Sequence, residues 1–367
     1  MQVPFSYLDQ QFSDCDAIFE DMKELVKKGK FTLGQPLKVF EEKFATAVGA
    51  KYAIGVGSGT DSLFLSLKAL GVGEGDEVIT AVNTFVATAG AIETAGAKIV
   101  FVDCNEKYVM DTSKVEAAIT PNTKVILPVH FAGQPVDMPC IIEIMEKHNL
   151  DVVEDSCQAI GAKINGKFCG TYGVLAGYSL HPLKNLNVWG DAGVIITDSE
   201  EMLEKLRLMR NHGMINRNEY AFYAYNSRLD TLQAVVGNHL IKDKDWITET
   251  RIVHAKRYDE AFKGMSDYIT IPPRSGNEEC VYHLYMILVK NRDELNAYLK
   301  DKGIESKIHY PIPLHLQPAS KKLGYQKGDF PVAEAQAKSL ITLPAHQHLK
   351  SEEIEYTIEQ VRQFYLS

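Results

Sequence analysis

The sequence predicts an α/β fold: a large domain on a mostly parallel seven-stranded sheet between helices, and a smaller C-terminal α+β domain. Three observations predict it. Seven short β-rich runs fall within residues 51–198. Several are near-continuous apolar runs, the pattern of strands buried on both faces. Helix-patterned segments alternate with them, which favours parallel strands joined by crossovers.

Taken in order, KYAIGV (51–56) precedes helical DSLFLSLKAL (61–70), and DEVITA (76–81) precedes VATAGAIETA (86–95). KIVFVD (98–103) leads to TSKVEAAI (112–119), read as a helix, and TKVILPVH (123–130) to PCIIEIMEKHN (139–149). DVVED (151–155), VLAGYSLH (174–181) and GVIITD (193–198) complete the strands. A charged helix, EEMLEKLRLMR, and one long amphipathic stretch over 229–263 follow. The remainder mixes a strand, VYHLYMILVK (281–290), a helix, RDELNAYLKDKG, a Pro-rich loop, HYPIPLHLQP (309–318), and a last helix, SEEIEYTIEQVRQFYL. The expected division is an N-terminal segment 1–30, a large domain 31–245 and a small domain 246–367.

The 367 residues, 45% of them hydrophobic, are enough for two cores rather than a disordered chain. A net charge of -9, with no basic run beyond VKKGK, argues against a nucleic-acid partner. No apolar stretch approaches a membrane span, and MQVPFSYLDQQ lacks the features of a signal peptide, so a cytoplasmic location is expected. The six cysteines form no C-x-x-C pair and read as reduced thiols. The histidines, His346 and His348 included, show no metal-ligand spacing, and no metal is expected.

Three stretches carry chemistry. GVGSGTDSL (55–63) follows a strand and opens a helix, where backbone N–H groups meet an anion; the plain alternative is an ordinary Gly-rich turn. It is not a dinucleotide fingerprint, because Thr60 stands where the last glycine is required. That argues against a nicotinamide oxidoreductase. VVEDSCQA places Glu154 and Asp155 at a strand end, where Asp155 either meets a cation or caps the next turn. In SLHPLKNLNVWGDAG, Pro182 ends the strand and Lys184 sits on the turn, either as a surface cation or as a desolvated nucleophile, with His181 beside it. Together an anion cradle, a strand-end carboxylate and a lysine are the parts that pyridoxal 5'-phosphate requires.

The ordered motifs FTLGQPLKVFEEKFA, VGSGTDSLFLSLKALGVGEGDEVI, NTFVATAGAI, VVEDSCQAIGA, YSLHPLKNLNVWGDAGVIIT, RNHG, YNSRLDTLQA, VYHLYMI and IHYPIPLHLQP resemble the DegT/DnrJ/EryC1/StrS sugar aminotransferases. The resemblance covers nearly the whole chain. It implies the fold-type I aspartate aminotransferase architecture, pyridoxal phosphate as cofactor, and transfer of an amino group to a sugar carbonyl. Lys184 matches the lysine that bonds the cofactor aldehyde, Asp155 the partner of its ring nitrogen, and Gln158 a neighbour of its phenolic oxygen. Phe85 matches the stacking aromatic; Gly59, Thr60 and Ser179 match phosphate ligands, with Asp61 on the same helix. Asn226 matches a phosphate ligand given by a second subunit, which implies a homodimer with shared sites. Arg228, His309 and Tyr310 match substrate contacts, and His181 borders the chemistry.

The resemblance further implies glutamate as donor and a nucleotide-linked 3- or 4-keto-deoxysugar as acceptor. SLHPLKNLNVWGDAG and LPAHQHL also resemble a branch that aminates the terminal carbon of an octulosonate, a lipopolysaccharide sugar. A non-catalytic regulatory protein that binds the cofactor is the rival of another class; it predicts loss of Lys184 or Asp155, and both are present.

Overall fold

The computed structural model describes residues 1–366. All seven predicted runs are strands of one sheet. They are β1 (Tyr52–Val56), β2 (Glu77–Ala81), β3 (Lys98–Val102), β4 (Thr123–Leu127), β5 (Asp151–Asp155), β6 (Leu175–Ser179) and β7 (Gly193–Thr197). Their order is β1-β7-β6-β5-β4-β2-β3. β7 is antiparallel to both β1 and β6, and the other pairs are parallel.

Alternation along β7 shows how the sheet is buried on both faces. Val194 and Ile196 join Phe40, Phe44 and Tyr178 in one apolar cluster. Ile195 points the other way, into a cluster with Leu65 and Leu67. Helix Gly59–Ala69 therefore lies on one face, and helix Gln35–Ala47 on the other. A third cluster belongs to the C-terminal part, where a three-stranded antiparallel sheet runs β8 (Ile269–Thr270), β9 (Tyr285–Val289), β10 (Leu340–Leu343). Val3 joins this cluster with Tyr258, Leu299 and Ile341. The N-terminal segment thus reaches across the chain. The amide of Val3 donates to the Gly303 carbonyl at 2.9 Å, and the Glu305 amide donates to Val3 at 3.0 Å.

Three local expectations change. TSKVEAAI forms two short 3-10 turns, Thr112–Lys114 and Glu116–Ala118, and no α-helix. Asp111 caps the first turn through the Ser113 amide, and Val115 alone in this stretch is fully buried, so no apolar face holds a longer helix. The amphipathic stretch divides at Ile241–Asp243 into helices Thr231–Leu240 and Lys244–Phe262. The strand expected from Val281 begins only at Tyr285, because Tyr282 has φ +46° and breaks the extended run. Among the described residues no helix is long and apolar enough to cross a membrane, and the six cysteines are unpaired.

Helix Gly59–Ala69 approaches the sheet so closely that side chains are excluded at the contact. A Cβ on Gly193 would lie 2.1 Å from the Ser58 carbonyl oxygen. We predict that Gly193→Ala forces the helix off the sheet at a cost of about 1–3 kcal/mol, as overpacking does. Gly73→Ala, with no atom within 4 Å of its new Cβ, is the control. Thermal melts of the two variants check this; equal melting temperatures contradict it.

Candidate active site

The site forms where β5, β6 and the first turn of helix Gly59–Ala69 converge, at the carboxyl end of the parallel strands. A cleft of about 300 Å³ opens there, lined by Gly59, Thr60, Phe85, Asp155, Gln158 and Lys184 among others.

Lys184 stands on the turn after β6. Its amide donates to the His181 carbonyl at 2.8 Å. Its own carbonyl accepts from the Tyr7 hydroxyl at 2.8 Å and from the Asn187 carboxamide at 3.1 Å. The backbone is therefore clamped while the side chain enters the cleft. Burial pushes the ammonium below its ordinary value, and the Asp155 carboxylate opposes only part of that. The Cys157 thiol is itself pushed well up by burial, so it stays protonated.

Strand alternation separates the two acids at the end of β5. Glu154, fully buried, accepts from the Gly170, Tyr172 and Gly173 amides, each at 2.7 Å, and meets His130 Nε2 at 3.0 Å. It is a loop anchor. Asp155 faces the cleft. Its Oδ1 accepts from the Cys157 amide at 3.1 Å, and its Oδ2 from the Thr88 hydroxyl at 2.7 Å. Thr88 must donate to the carboxylate, so it accepts from Thr84, 2.7 Å away. This two-threonine relay fixes the carboxylate and leaves its remaining lone pairs toward the cleft.

The opposite end is built for an anion. Ser58 caps helix Gly59–Ala69 by accepting from the Asp61 amide at 3.0 Å. The Ser58, Gly59 and Thr60 backbone then turns to the cleft beside Ser179. A Cβ at Gly59 would sit 2.6 Å from the Ser179 Cβ, so only glycine admits this approach. Gln158 gives its Oε1 to the Ala132 amide at 2.6 Å, which leaves Nε2 as its cleft-side donor. Phe85, 48% exposed, begins the next helix and forms the cleft's outer wall with Tyr310, their ring centroids 6.1 Å apart.

His181, His309 and Tyr310 line the cleft as well. Asp61 and Arg228 do not, and Asn226, expected to serve a second subunit's site, lies outside this cleft. Asp61 turns away and accepts from Ser227 Oγ at 2.8 Å. Arg228 donates to Asn211 at 2.9 Å, and Asn226 is exposed on the surface. Reading by sequence alone missed Thr84, Thr88, Asn185 and Tyr7, and placed His283 within the strand expected over 281–290. Of these, all but Tyr7 fall within the motifs NTFVATAGAI, YSLHPLKNLNVWGDAGVIIT and VYHLYMI, which gave the only signal. Trp189 packs against Phe12, 5.5 Å between centroids. His346 and His348 bond Pro4 and Gln11.

The donor set fits pyridoxal phosphate: amides of a helix N-terminus at one end, a carboxylate at the other, a desolvated amine between them. These features define a pyridoxal phosphate-dependent aminotransferase of fold type I. The sequence matches the DegT/DnrJ/EryC1/StrS aminotransferase family over residues 13–362, and the chain belongs to that family. It is 42% identical to the "Pleiotropic regulatory protein" of Geobacillus stearothermophilus, covering 100% of this chain and 99% of the relative. It is 39% identical to UDP-N-acetyl-3-dehydro-alpha-D-glucosamine 3-aminotransferase of Acidithiobacillus ferrooxidans, over 92% and 91%. Among solved structures, Streptomyces venezuelae DesV in complex with a ketimine intermediate superposes with TM-score 0.96 at 35% identity, over 99% and 98% of the chains. Bacillus subtilis NtdA with bound PMP superposes with TM-score 0.93 at 32% identity, over 100% and 86%. The chain is a pyridoxal phosphate-dependent enzyme that aminates keto or aldehyde groups of sugars in amino-sugar biosynthesis.

His309 gives a pH prediction. Its Nδ1 lies 2.9 Å from Thr342 Oγ1. Burial, then Lys184 and Lys307, push it down to about 4. An unfolded histidine titrates near ~6.5, so between those values the unfolded chain binds more protons. Stability should therefore fall as pH drops from about 6.5 to about 4. His309→Gln should remove part of that loss. Melting temperatures of both proteins across this range test it; parallel curves contradict it.

Proposed function

We propose that the amino donor is glutamate, that the acceptor is a keto carbon of a nucleotide-linked sugar, and that two chains share their sites. The observation that carries the chemistry is the placement of a desolvated Lys184 and a fixed Asp155 in one cleft with an anion cradle. The cofactor, when bound, supplies the electron sink that acidifies a carbon bearing the transferred nitrogen. Ser58, Gly59, Thr60 and Ser179 hold its phosphate. Asp155, oriented by Thr88, sets a negative charge at its ring nitrogen, and Gln158 Nε2 donates toward its phenolic oxygen. Lys184 Nζ, whose charged form burial disfavours, takes the proton from the donor's α-carbon. In the second half-reaction Lys184 Nζ, as an ammonium, gives a proton to the sugar carbon that gains nitrogen.

Room for a large acceptor supports the nucleotide-linked reading. A second cavity of about 690 Å³ shares Thr84, Phe85 and Tyr310 with the cleft. The relative named for a UDP-linked sugar points the same way. The octulosonate reading leaned partly on LPAHQHL, but His346 bonds Pro4 and Gln347 accepts from Arg251 at 2.9 Å, so these residues serve the N-terminal contact. The regulatory name of one relative does not outweigh retained Lys184 and Asp155. Sharing is supported by the surface around Asn226, where Ile215, Tyr220 and Phe222 are exposed and Tyr223 is wholly so at 101%.

The visible spectrum of the cofactor-loaded protein should lose its band on addition of glutamate. Lys184→Ala should keep the cofactor through its phosphate contacts and lose turnover by at least ~10³-fold, as loss of a positioned base and nucleophile implies. Normal turnover in that variant ends the assignment. A mixture of inactive Lys184→Ala and Asn226→Ala chains should regain activity if a site takes Asn226 from the second chain. No recovery from proven heterodimers refutes sharing.

A further inference from the structure

His283 lies in the cleft beside Lys184, on the segment that leads into β9. Its position is over-determined. The Val281 amide donates to Gly133 O at 3.1 Å, and the Leu284 amide to Ala132 O at 3.2 Å. Arg251 Nη1 holds the carbonyls of Tyr282 and His283 at 3.1 and 3.3 Å. Between these ties Tyr282 takes φ +46°, a conformation that a non-glycine residue keeps only where the surroundings impose it. It keeps the chain out of strand geometry at His283, ahead of β9, and His283 lines the cleft.

The tautomer follows from Asn185. That buried carboxamide donates through Nδ2 to Val281 O at 3.1 Å, so its Oδ1 is the atom 3.2 Å from His283 Nδ1. An amide oxygen only accepts, so Nδ1 carries the hydrogen. Burial and then the charge of Lys184 push this imidazole well below its usual value, so it holds one proton only. Nε2 is therefore a bare acceptor. Among the described residues no donor meets it, and it is not among the polar atoms sealed without a partner, so it opens to the cleft.

We propose that His283 is a positioning residue: its Nε2 accepts a hydrogen bond from the Lys184 ammonium while that lysine carries the donor's α-proton. This deepens the aminotransferase reading and rests on it. The proton balance is simple. The α C–H bond breaks, its proton forms an N–H bond on Lys184 Nζ, and its electrons go to the cofactor. His283 gains no proton; it accepts a hydrogen bond from the new ammonium. The other groups facing Lys184 do not replace it. Asp155 is engaged by Thr88 and Cys157, the Cys157 thiol stays protonated, and His309 is turned by Thr342. Tyr310 is pushed up to about 12 and stays a phenol, while His181 Nδ1 accepts from the Leu183 amide and Asp191 is exposed.

The test follows the half-reaction with glutamate alone, by stopped-flow absorbance of the cofactor-loaded enzyme across pH. Three proteins are compared: wild type, His283→Phe and His283→Gln. Loss of the acceptor destabilises the lysine ammonium, so in His283→Phe the acid limb of the rate profile should move to lower pH by about one unit. The plateau should fall about tenfold or more, as loss of a hydrogen bond to a charged group implies. His283→Gln, which restores an acceptor, should return to within about threefold of wild type. A merely structural role lowers the rate equally at every pH and leaves the limb in place; that result overturns the proposal. So does an unchanged glutamate half-reaction with only the sugar half-reaction impaired, which makes His283 a substrate contact. If His283→Phe fails to fold or to bind cofactor, the limb in His283→Gln and in the conservative His283→Asn decides: shifts graded with acceptor reach support the proposal, identical limbs overturn it. If wild type itself shows no absorbance change with glutamate, the donor assignment fails instead, and the two failures are distinct.

Discussion

The close contact between helix Gly59–Ala69 and strands β6 and β7 is the constraint on which the site depends. It is made by glycines facing hydroxyl and carbonyl groups. A Cβ on Gly177 would lie 2.4 Å from Ser62 Oγ, and one on Gly59 would lie 2.6 Å from the Ser179 Cβ. Without side chains at these points the helix axis drops toward the sheet. Its first turn then presents amides to the strand ends, where the negative charge of a phosphate is stabilised. The same approach brings Ser179, and four residues of turn later Lys184, to that end of the sheet. Anion cradle and nucleophile are thus positioned by one packing interface. An antiparallel β7 makes this possible, because it places the start of one strand, Gly193, against the helix N-terminus.

Electrostatics then divides the labour. The cleft contains one acid fixed by two donors, one lysine whose charge is disfavoured by burial, and two histidines held neutral by the same burial. Neutral imidazoles are what a transferring lysine requires. A charged one beside it would depress the lysine further, whereas a neutral lone pair stabilises its ammonium. The price of desolvating Lys184 is limited because Asp155 stands close enough to compensate part of it.

Much of this was legible in the sequence. The seven strands were readable because each is short, apolar and bounded by turn residues, and five of them have a parallel neighbour. Lys184, Asp155 and the Gly59 turn were readable because each occupies a strand end, where one-dimensional order already implies position. What was hidden depends on contacts between distant segments. Thr88 acts only because helix Val86–Ala95 brings it to a residue 67 positions away. Tyr7 bonds a carbonyl 177 positions away. His283 looked like an alternating strand residue, and its role rests on a left-handed Tyr282 that no pattern of hydrophobicity announces. The helix at 112–119 failed for the opposite reason: its local pattern was adequate, but only Val115 is fully buried there.

The N-terminal segment ties the small domain to the turn that carries Lys184. Val3 is bonded to the loop before Glu305, Phe5 donates to the Glu305 carboxylate at 3.1 Å, and Pro4 receives His346 at 3.1 Å. Four residues on from Val3, Tyr7 bonds Lys184 O. His283 and His309 reach the cleft from the same side as these contacts, and Arg251, which secures His283, lies 5.2 Å from the Tyr7 ring. A displacement of the small domain therefore acts on both ends of the lysine at once, its carbonyl through Tyr7 and the space around its amine through the two histidines. Because interiors are close-packed and do not deform smoothly, such a displacement is transmitted rather than absorbed. Lys184 sits on the turn after the large domain's β6, but the surroundings of its amine are set in part by His283 and His309 of the small domain.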